Sequence, residues 1–215
     1  MKAKLSILIS GALLGVFGIL GAGLVGFSHD LTAERIVQNE RDTLLRQLQI
    51  LIPPDQADND ISTDVLEVSS PSQLGAEVTR VYRAQRNGQI VAVVLSPVIT
   101  QGYSGAIRLI VGARRDGTLA GVRVLSHRET PGLGDKIEVE RSDWIRNFNG
   151  KSLVSPPDSQ WRVKRDGGAF DQFTGATITP RAVVRGVKAA LTYIRRNEVR
   201  LFGEQTAMAE ARDER

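Results

Sequence analysis

The chain has 215 residues, and its 28 basic and 24 acidic side chains leave a net charge of +4, which fits one ordinary domain plus an appendage. The two signs are interspersed, without the basic block of a nucleic-acid binder, so no nucleic-acid partner is expected. The absence of cysteine excludes thiol catalysis, Cys-ligated iron–sulfur clusters and disulfides, and only two histidines, His29 and His127, far apart in sequence, argue against a metal site.

The first predicted element is LSILISGALLGVFGILGAGLVGF, Leu5 to Phe27, which carries no charged side chain. As a helix it rises about 35 Å, enough to cross a hydrocarbon core of roughly 30 Å. The run is too long for the apolar core of a cleaved signal peptide and no Ala-x-Ala site follows it, so a retained membrane anchor is expected over 5–27. Lys2 and Lys4 precede the run, and His29, Asp30 and Glu34 follow it. By the positive-inside rule residues 1–4 stay in the cytoplasm and the bulk of the chain lies outside, in the periplasm if the host is a bacterium. Gly11 and Gly15 form a Gly-x-x-x-Gly pair. It fits either a close helix–helix contact or the ordinary glycine content of membrane helices.

A membrane-proximal helix is expected within 28–54. Thr32 serves as a candidate cap, Val37, Leu44, Leu48 and Leu51 form an apolar stripe that packs on the domain, and Pro53-Pro54 stops the run. PPDQADNDISTD then reads as a loop. From 77 to 127 the period changes to Val- and Ile-rich runs, with Asn87-Gly88 and Asp116-Gly117 between neighbours. Such dipeptides supply the positive φ of hairpin turns, so about four antiparallel strands are predicted. One or two short helices follow, burying Trp144, Ile145 and Phe148 and ending at Asn149-Gly150. WRVKR reads as a further strand closed by a turn at Asp166-Gly167-Gly168. The last helix is expected to start with Thr179 as its cap and Pro180 at its first position, and to bury Val183, Val184, Val187, Ala190, Leu191 and Ile194. Together these elements define an α+β domain over 55–202, followed by a flexible tail at 203–215.

Two loops hold more small and polar residues than chain reversal needs. In SHRETPGLGDK, 126–136, Pro131 stiffens the backbone while Gly132 and Gly134 bracket Leu133. In FDQFTGATITP, 170–180, Gly175 and Ala176 leave almost no bulk beside Thr177, and a helix begins just after, with an end that attracts phosphate. On the residues alone each segment fits a ligand loop or an ordinary turn.

DQFTGAT, Asp171 to Thr177, resembles the Asp-x-x-Ser/Thr-Gly-Ala-Thr motif of proteins that carry covalently attached FMN, and HRETPGLG, His127 to Gly134, resembles a second signature of that family. With GYSGAIRLIVGARRDGTLAGVRVLSH, the single N-terminal anchor and RDTLLRQLQILIP, the likeness spans nearly the whole chain. It is strongest to the G-subunit family of the Rnf ion-translocating electron-transport complex. Pro180 departs from the serine expected there, without harm to attachment, because proline suits the start of a helix.

The resemblance implies that Thr177 accepts FMN through a phosphoester at its Oγ, joined by a dedicated periplasmic flavin transferase. Asp171, Thr174, Gly175 and Ala176 complete the motif, and Glu129, Thr130, Gly132 and Leu133 belong to a loop beside the flavin. Tyr103 is a candidate ring contact, and Lys164 a candidate counter-charge for the phosphate. The implied role is an electron-carrying flavoprotein subunit, a translocase component of the bacterial inner membrane without turnover of its own, so no catalytic base or metal is assigned. The implied partners are the complex's other membrane subunits, which together link ferredoxin and NAD to ion movement. Two alternatives are a C-type subunit of a sodium-pumping NADH:quinone oxidoreductase, usually a longer chain with the same motif, and a membrane-tethered binding module without redox function.

Overall fold

The computed structural model describes residues 2–203, and the tail expected at 203–215 falls outside them from residue 204 onward. The chain divides into two compact units, Met1–Leu44 and Leu45–Arg215. Helix α1, Lys2–Leu51, makes up the described part of the first and enters the second. Among the described residues it is the one helix long and apolar enough to cross a membrane. Its large apolar side chains from Ile9 to Phe27 are exposed. Thr32 is no cap. The helix is already propagating at that point, so no N–H group is left to satisfy, and the Thr32 hydroxyl bonds back to the Ser28 carbonyl at 2.8 Å. Pro53 and Pro54 stop α1 as expected. Of its stripe, Leu48 and Leu51 are buried, whereas Val37 is 65% exposed.

The expected strands form as β2 (Thr79–Arg86), β3 (Gln89–Leu95), β5 (Ile107–Arg114) and β6 (Leu119–Ser126). Two more were not expected: an edge strand β1 (Val65–Val68) and the two-residue β4 (Val98–Ile99). Both are too short to display an alternating pattern. A single turn of helix, α2 (Pro71–Leu74), separates β1 from β2. All pairings are antiparallel, β1 to β2 to β3, with β3 and then β4 lining one side of β5 and β6 the other. The Asn87-Gly88 turn has φ of 52° and 74°, the doubly positive pair that a tight hairpin between right-twisted strands demands. At the next turn Asp116 Oδ1 accepts bonds from the Thr118 hydroxyl at 2.6 Å and the Thr118 N–H at 2.8 Å. These bonds hold its carboxyl below the usual carboxylate range.

The sheet is covered on both faces, which is why β3 and β5 read as continuous apolar runs. On one side lies α3 (Ile178–Arg196), whose Val183, Val184, Val187, Ala190, Leu191 and Ile194 are all buried. A side chain at Gly186 would meet Ile99 at 2.6 Å, so glycine lets this helix approach β4. On the other, Leu51 rests on Gly112 and Gly121, which face each other across β5 and β6. A short helix, α4 (Glu198–Phe202), follows α3 and buries Leu201 and Phe202.

Between β6 and α3 the backbone is held by aromatic packing. The short helices expected here are 3-10 turns, Asp135–Ile137 and Asp143–Phe148. WRVKR does not form a strand. Val163 makes only an isolated bridge to Phe170, and Lys164–Asp166 winds into another 3-10 turn ending at Gly167, φ 80°. Gly168 lies so close to the Arg162 carbonyl that an added side chain would overlap it at 1.9 Å, which turns the chain before a ladder can extend. Phe148 stacks on Phe170 at 4.6 Å and meets Trp144 edge-on at 5.5 Å. Truncating Phe148 to alanine is expected to cost about 3–5 kcal/mol, read as a lower urea midpoint of the full-length protein in detergent; an unchanged midpoint would contradict this packing role.

Candidate cofactor site

The site is built from two glycine-containing turns and one helix end. In the first turn Thr130 accepts at its carbonyl from the N–H groups of Leu133 at 3.1 Å and Gly134 at 3.0 Å. Pro131 occupies the second position and Gly132, with φ of 76°, the third, the arrangement a type II turn requires. In the second turn the Ala176 N–H reaches the Phe173 carbonyl at 3.4 Å, with Gly175 at φ 88° in the equivalent place. The turns touch: a methyl group on Gly175 would lie 2.9 Å from Leu133 Cδ2. The second turn is anchored from behind. Phe173 is buried edge-on against Trp144 at 5.0 Å, and Trp144 Nε1 donates to the Asp171 carbonyl at 2.8 Å.

Helix α3 starts immediately after this turn. Its cap is Thr177, and Thr179 and Pro180 are its second and third residues, not its cap and first position. The reason is tertiary. Thr179 is 1% exposed, and its hydroxyl donates to Glu129 Oε2, so it is drawn inward to a carboxylate. Thr177 makes no capping bond with its side chain. The N–H groups of the first turn therefore stay without a side-chain partner from the cap, and Pro180 contributes none.

Glu129 is 4% exposed. Its Oε1 accepts from the Ser104 N–H at 3.0 Å, and its own N–H donates to His127 Nδ1 at 2.9 Å. A neutral His127 therefore carries its proton on Nε2, which lies 2.8 Å from Glu138 Oε1. Side chains at Gly102 and Gly134 would each come within 2.8 Å of Glu129.

The space enclosed is an open cleft of about 300 Å³, at the lower end of the range of small-molecule sites. Of the residues singled out in the sequence, Tyr103, Glu129, Thr130, Leu133, Gly175, Ala176 and Thr177 line it together. Gly134, Ile178 and Thr179 join them, and the sequence had not pointed to these as site residues. Nor had it pointed to Ser104 or Gly102, although both stand beside Tyr103 in the segment that carried the likeness. Gly132 shapes the first turn without lining the cleft, and Thr174 is exposed in the second turn. Asp171 and Lys164 are also outside the lining. They pair with each other at 2.6 Å on the surface, where such a pair is weak. Arg181, in the first turn of α3, grips Asp166 with two bonds of 2.6 Å. Those bonds hold the Asp166 carboxyl below its ordinary range.

The cleft suits a flat ring joined to a phosphate. Tyr103, Leu133 and Ile178 expose apolar surface around it, and the start of α3 offers N–H groups beside the Thr177 side chain. Fold and cleft together define a flavin-binding domain, and residues 102–192 match the FMN-binding domain family, while residues 1–51 match the RnfG N-terminal region. The G-subunit protein of the ion-translocating oxidoreductase complex from Pseudomonas aeruginosa is 46% identical over 94% of this chain and 95% of its own. The corresponding proteins of Vibrio cholerae, at 44% over 91% and 93%, and Shewanella piezotolerans, at 45% over 93% and 94%, are similarly related. The chain belongs to this family of G subunits.

If Gly134 is glycine because Glu129 and Thr179 crowd it, alanine there should destabilise the protein by about 1–3 kcal/mol through overpacking. Its backbone is ordinary, so strain would not account for the loss. Urea unfolding of Gly134→Ala decides the matter, and wild-type stability would mean that the crowding is relieved at no cost.

Proposed function

We infer that this protein is an electron-carrying flavoprotein subunit of a membrane-bound, ion-translocating oxidoreductase complex, with FMN bound covalently through a phosphoester at Thr177 Oγ. One observation carries the assignment to that residue. Thr177 lines the cleft at the cap of α3, yet its side chain makes no capping bond. A threonine kept at this place without serving the helix is available for another use.

The family relationship supports FMN as the cofactor and a complex as the setting. When bound, FMN supplies one- and two-electron transfer, and the protein's part is to hold it and shape its surroundings. Thr177 fixes the phosphate. Ile178 and Thr179 line that end of the cleft, where the pole of the helix dipole favours an anion. Gly175 keeps the turn thin enough for close approach, and Leu133, Ile178 and Tyr103 exclude water from apolar surface. Asp171, Thr174, Gly132 and Lys164 act outside the cleft, where the exposed Asp171 and Thr174 suit presentation to the flavin transferase. Electron flow between ferredoxin and NAD, coupled through the partner membrane subunits, completes the reading, with residues 5–27 of α1 as the anchor and the chain after them in the periplasm.

In-gel ultraviolet fluorescence tests the attachment. Denatured wild type made with the transferase should glow, and so should Thr177→Ser, which keeps a hydroxyl. Thr177→Ala should be dark, and a bright band from it would overturn the assignment. Orientation has its own measurement, made clean by the absence of cysteine. A single cysteine at the exposed Ser159 should react in intact spheroplasts with a maleimide that cannot cross the membrane. Labelling only after lysis would place the domain in the cytoplasm.

A further inference from the structure

Resting on the reading of Thr177 as the flavin phosphate site, we propose that Glu129 is a positioning residue for flavin attachment. By engaging Thr179 it keeps α3 from starting two residues late, and so holds Thr177 at the helix end. Threonine followed by proline is a strong local signal for a helix start, with Thr179 as the cap and Pro180 as the first helical residue. Helix α3 begins instead at Ile178, with Thr177 in the cap position. A capping side chain turns back onto the N–H groups two and three positions on. Thr179 is not available for this, because it is buried with its hydroxyl bonded to Glu129 Oε2. That bond serves with the carboxyl charged or neutral, since a hydroxyl can donate to the one and donate to or accept from the other.

The Glu129 side chain is fixed from several sides. Its Oε1 accepts from the Ser104 N–H at 3.0 Å. A side chain at Gly102 would meet Oε1 at 2.8 Å, and one at Gly134 would meet Glu129 Cβ at 2.8 Å and the Thr179 hydroxyl at 3.1 Å. Backbone therefore encloses the Glu129–Thr179 pair. Thr177, at φ −92° and ψ −29°, has helical dihedrals and makes no capping bond, which leaves its Oγ available. With the helix start moved to Thr179, residues 177 and 178 leave the helix, and Thr177 Oγ loses its place beside the pole that favours a phosphate. Attachment forms a bond from Thr177 Oγ to a phosphorus of a flavin dinucleotide. The bond from that phosphorus to the bridging oxygen breaks, the leaving phosphate keeps the electron pair, and the hydroxyl proton passes to water. Glu129 takes no part in that exchange and acts through Thr179.

The test uses full-length protein in detergent, made without flavin transferase and then given the transferase and a flavin dinucleotide. In-gel fluorescence reads the initial rate of attachment, and urea midpoints are measured on the same samples. Glu129→Leu and Thr179→Val break the same bond, so a merely structural role would slow both alike. The proposal makes them differ, because only Glu129→Leu frees a threonine to cap. Glu129→Leu should slow attachment about fivefold, the weight of one helix cap. Thr179→Val removes the competing cap, and should stay within about twofold of wild type even as its urea midpoint falls, valine being a poor cap. Glu129→Gln can still bond Thr179 and should also stay within about twofold. Adding Thr179→Val to Glu129→Leu should bring the rate back to that of Thr179→Val alone. The proposal fails if Thr179→Val is slowed as much as Glu129→Leu, or if Glu129→Leu keeps the wild-type rate. If Glu129→Leu does not fold, Thr179→Val decides: a rate near wild type upholds the proposal and a fivefold loss overturns it. Failure of the underlying reading looks different: wild type given the transferase would then show no fluorescent band at all.

Discussion

A carboxyl group taken out of water must be given hydrogen-bond partners, and the position of Glu129 imposes that requirement on two separate parts of the chain. Ser104 supplies a backbone N–H from the connection before β5, and Thr179 supplies a hydroxyl from the first turn of α3. His127 steadies the Glu129 backbone and is itself tied to Glu138. Were Ser104 or Thr179 displaced, a buried polar group would lose its partner, which costs more than an ordinary hydrogen bond is worth. The cleft walls are therefore set by the needs of one acidic group.

Behind this polar junction lies an apolar one. Phe148, Phe170, Trp161, Trp144 and Phe173 pack ring to ring, with centroids between 4.6 and 6.2 Å apart. They stabilise a stretch of chain with little regular secondary structure. Their burial and the indole bond to Asp171 hold the Phe173–Ala176 turn in place, so Thr177 is delivered to the cleft by side-chain packing. The sheet contributes indirectly, by fixing where α3 lies and hence where its first turn begins.

The charges around the cleft have a consistent arrangement. Lys164 and Arg181 sit in surface ion pairs, with Asp171 and Asp166 respectively. Inside the cleft lies the start of α3, whose pole favours an anion.

Much of the organisation was legible in the sequence because it rests on local rules. An uncharged run from Leu5 to Phe27 marks a helix suited to a membrane, and Asn87-Gly88 and Asp116-Gly117 mark hairpins through backbone conformations few other residues adopt. The glycines and threonines of the two loops drew attention for the same local reason, and seven of the residues named from them and from Tyr103 meet in one cleft. Local rules also misplaced the start of α3. Threonine before proline is a good cap, but the pull of a buried carboxylate fifty residues earlier turned Thr179 inward and left the cap to Thr177. WRVKR has strand-forming residues, yet Gly168 packs on the Arg162 backbone and reverses the chain too soon for pairing. Lys164 stands outside the cleft lining, in a surface pair with Asp171 that no spacing in the chain announces. Composition and spacing determined which segments are apolar, which turn and which are rich in ligand-like groups. Tertiary structure decided which polar groups are buried together, because a hydrogen bond or ion pair depends on distance in space and leaves no period in the chain.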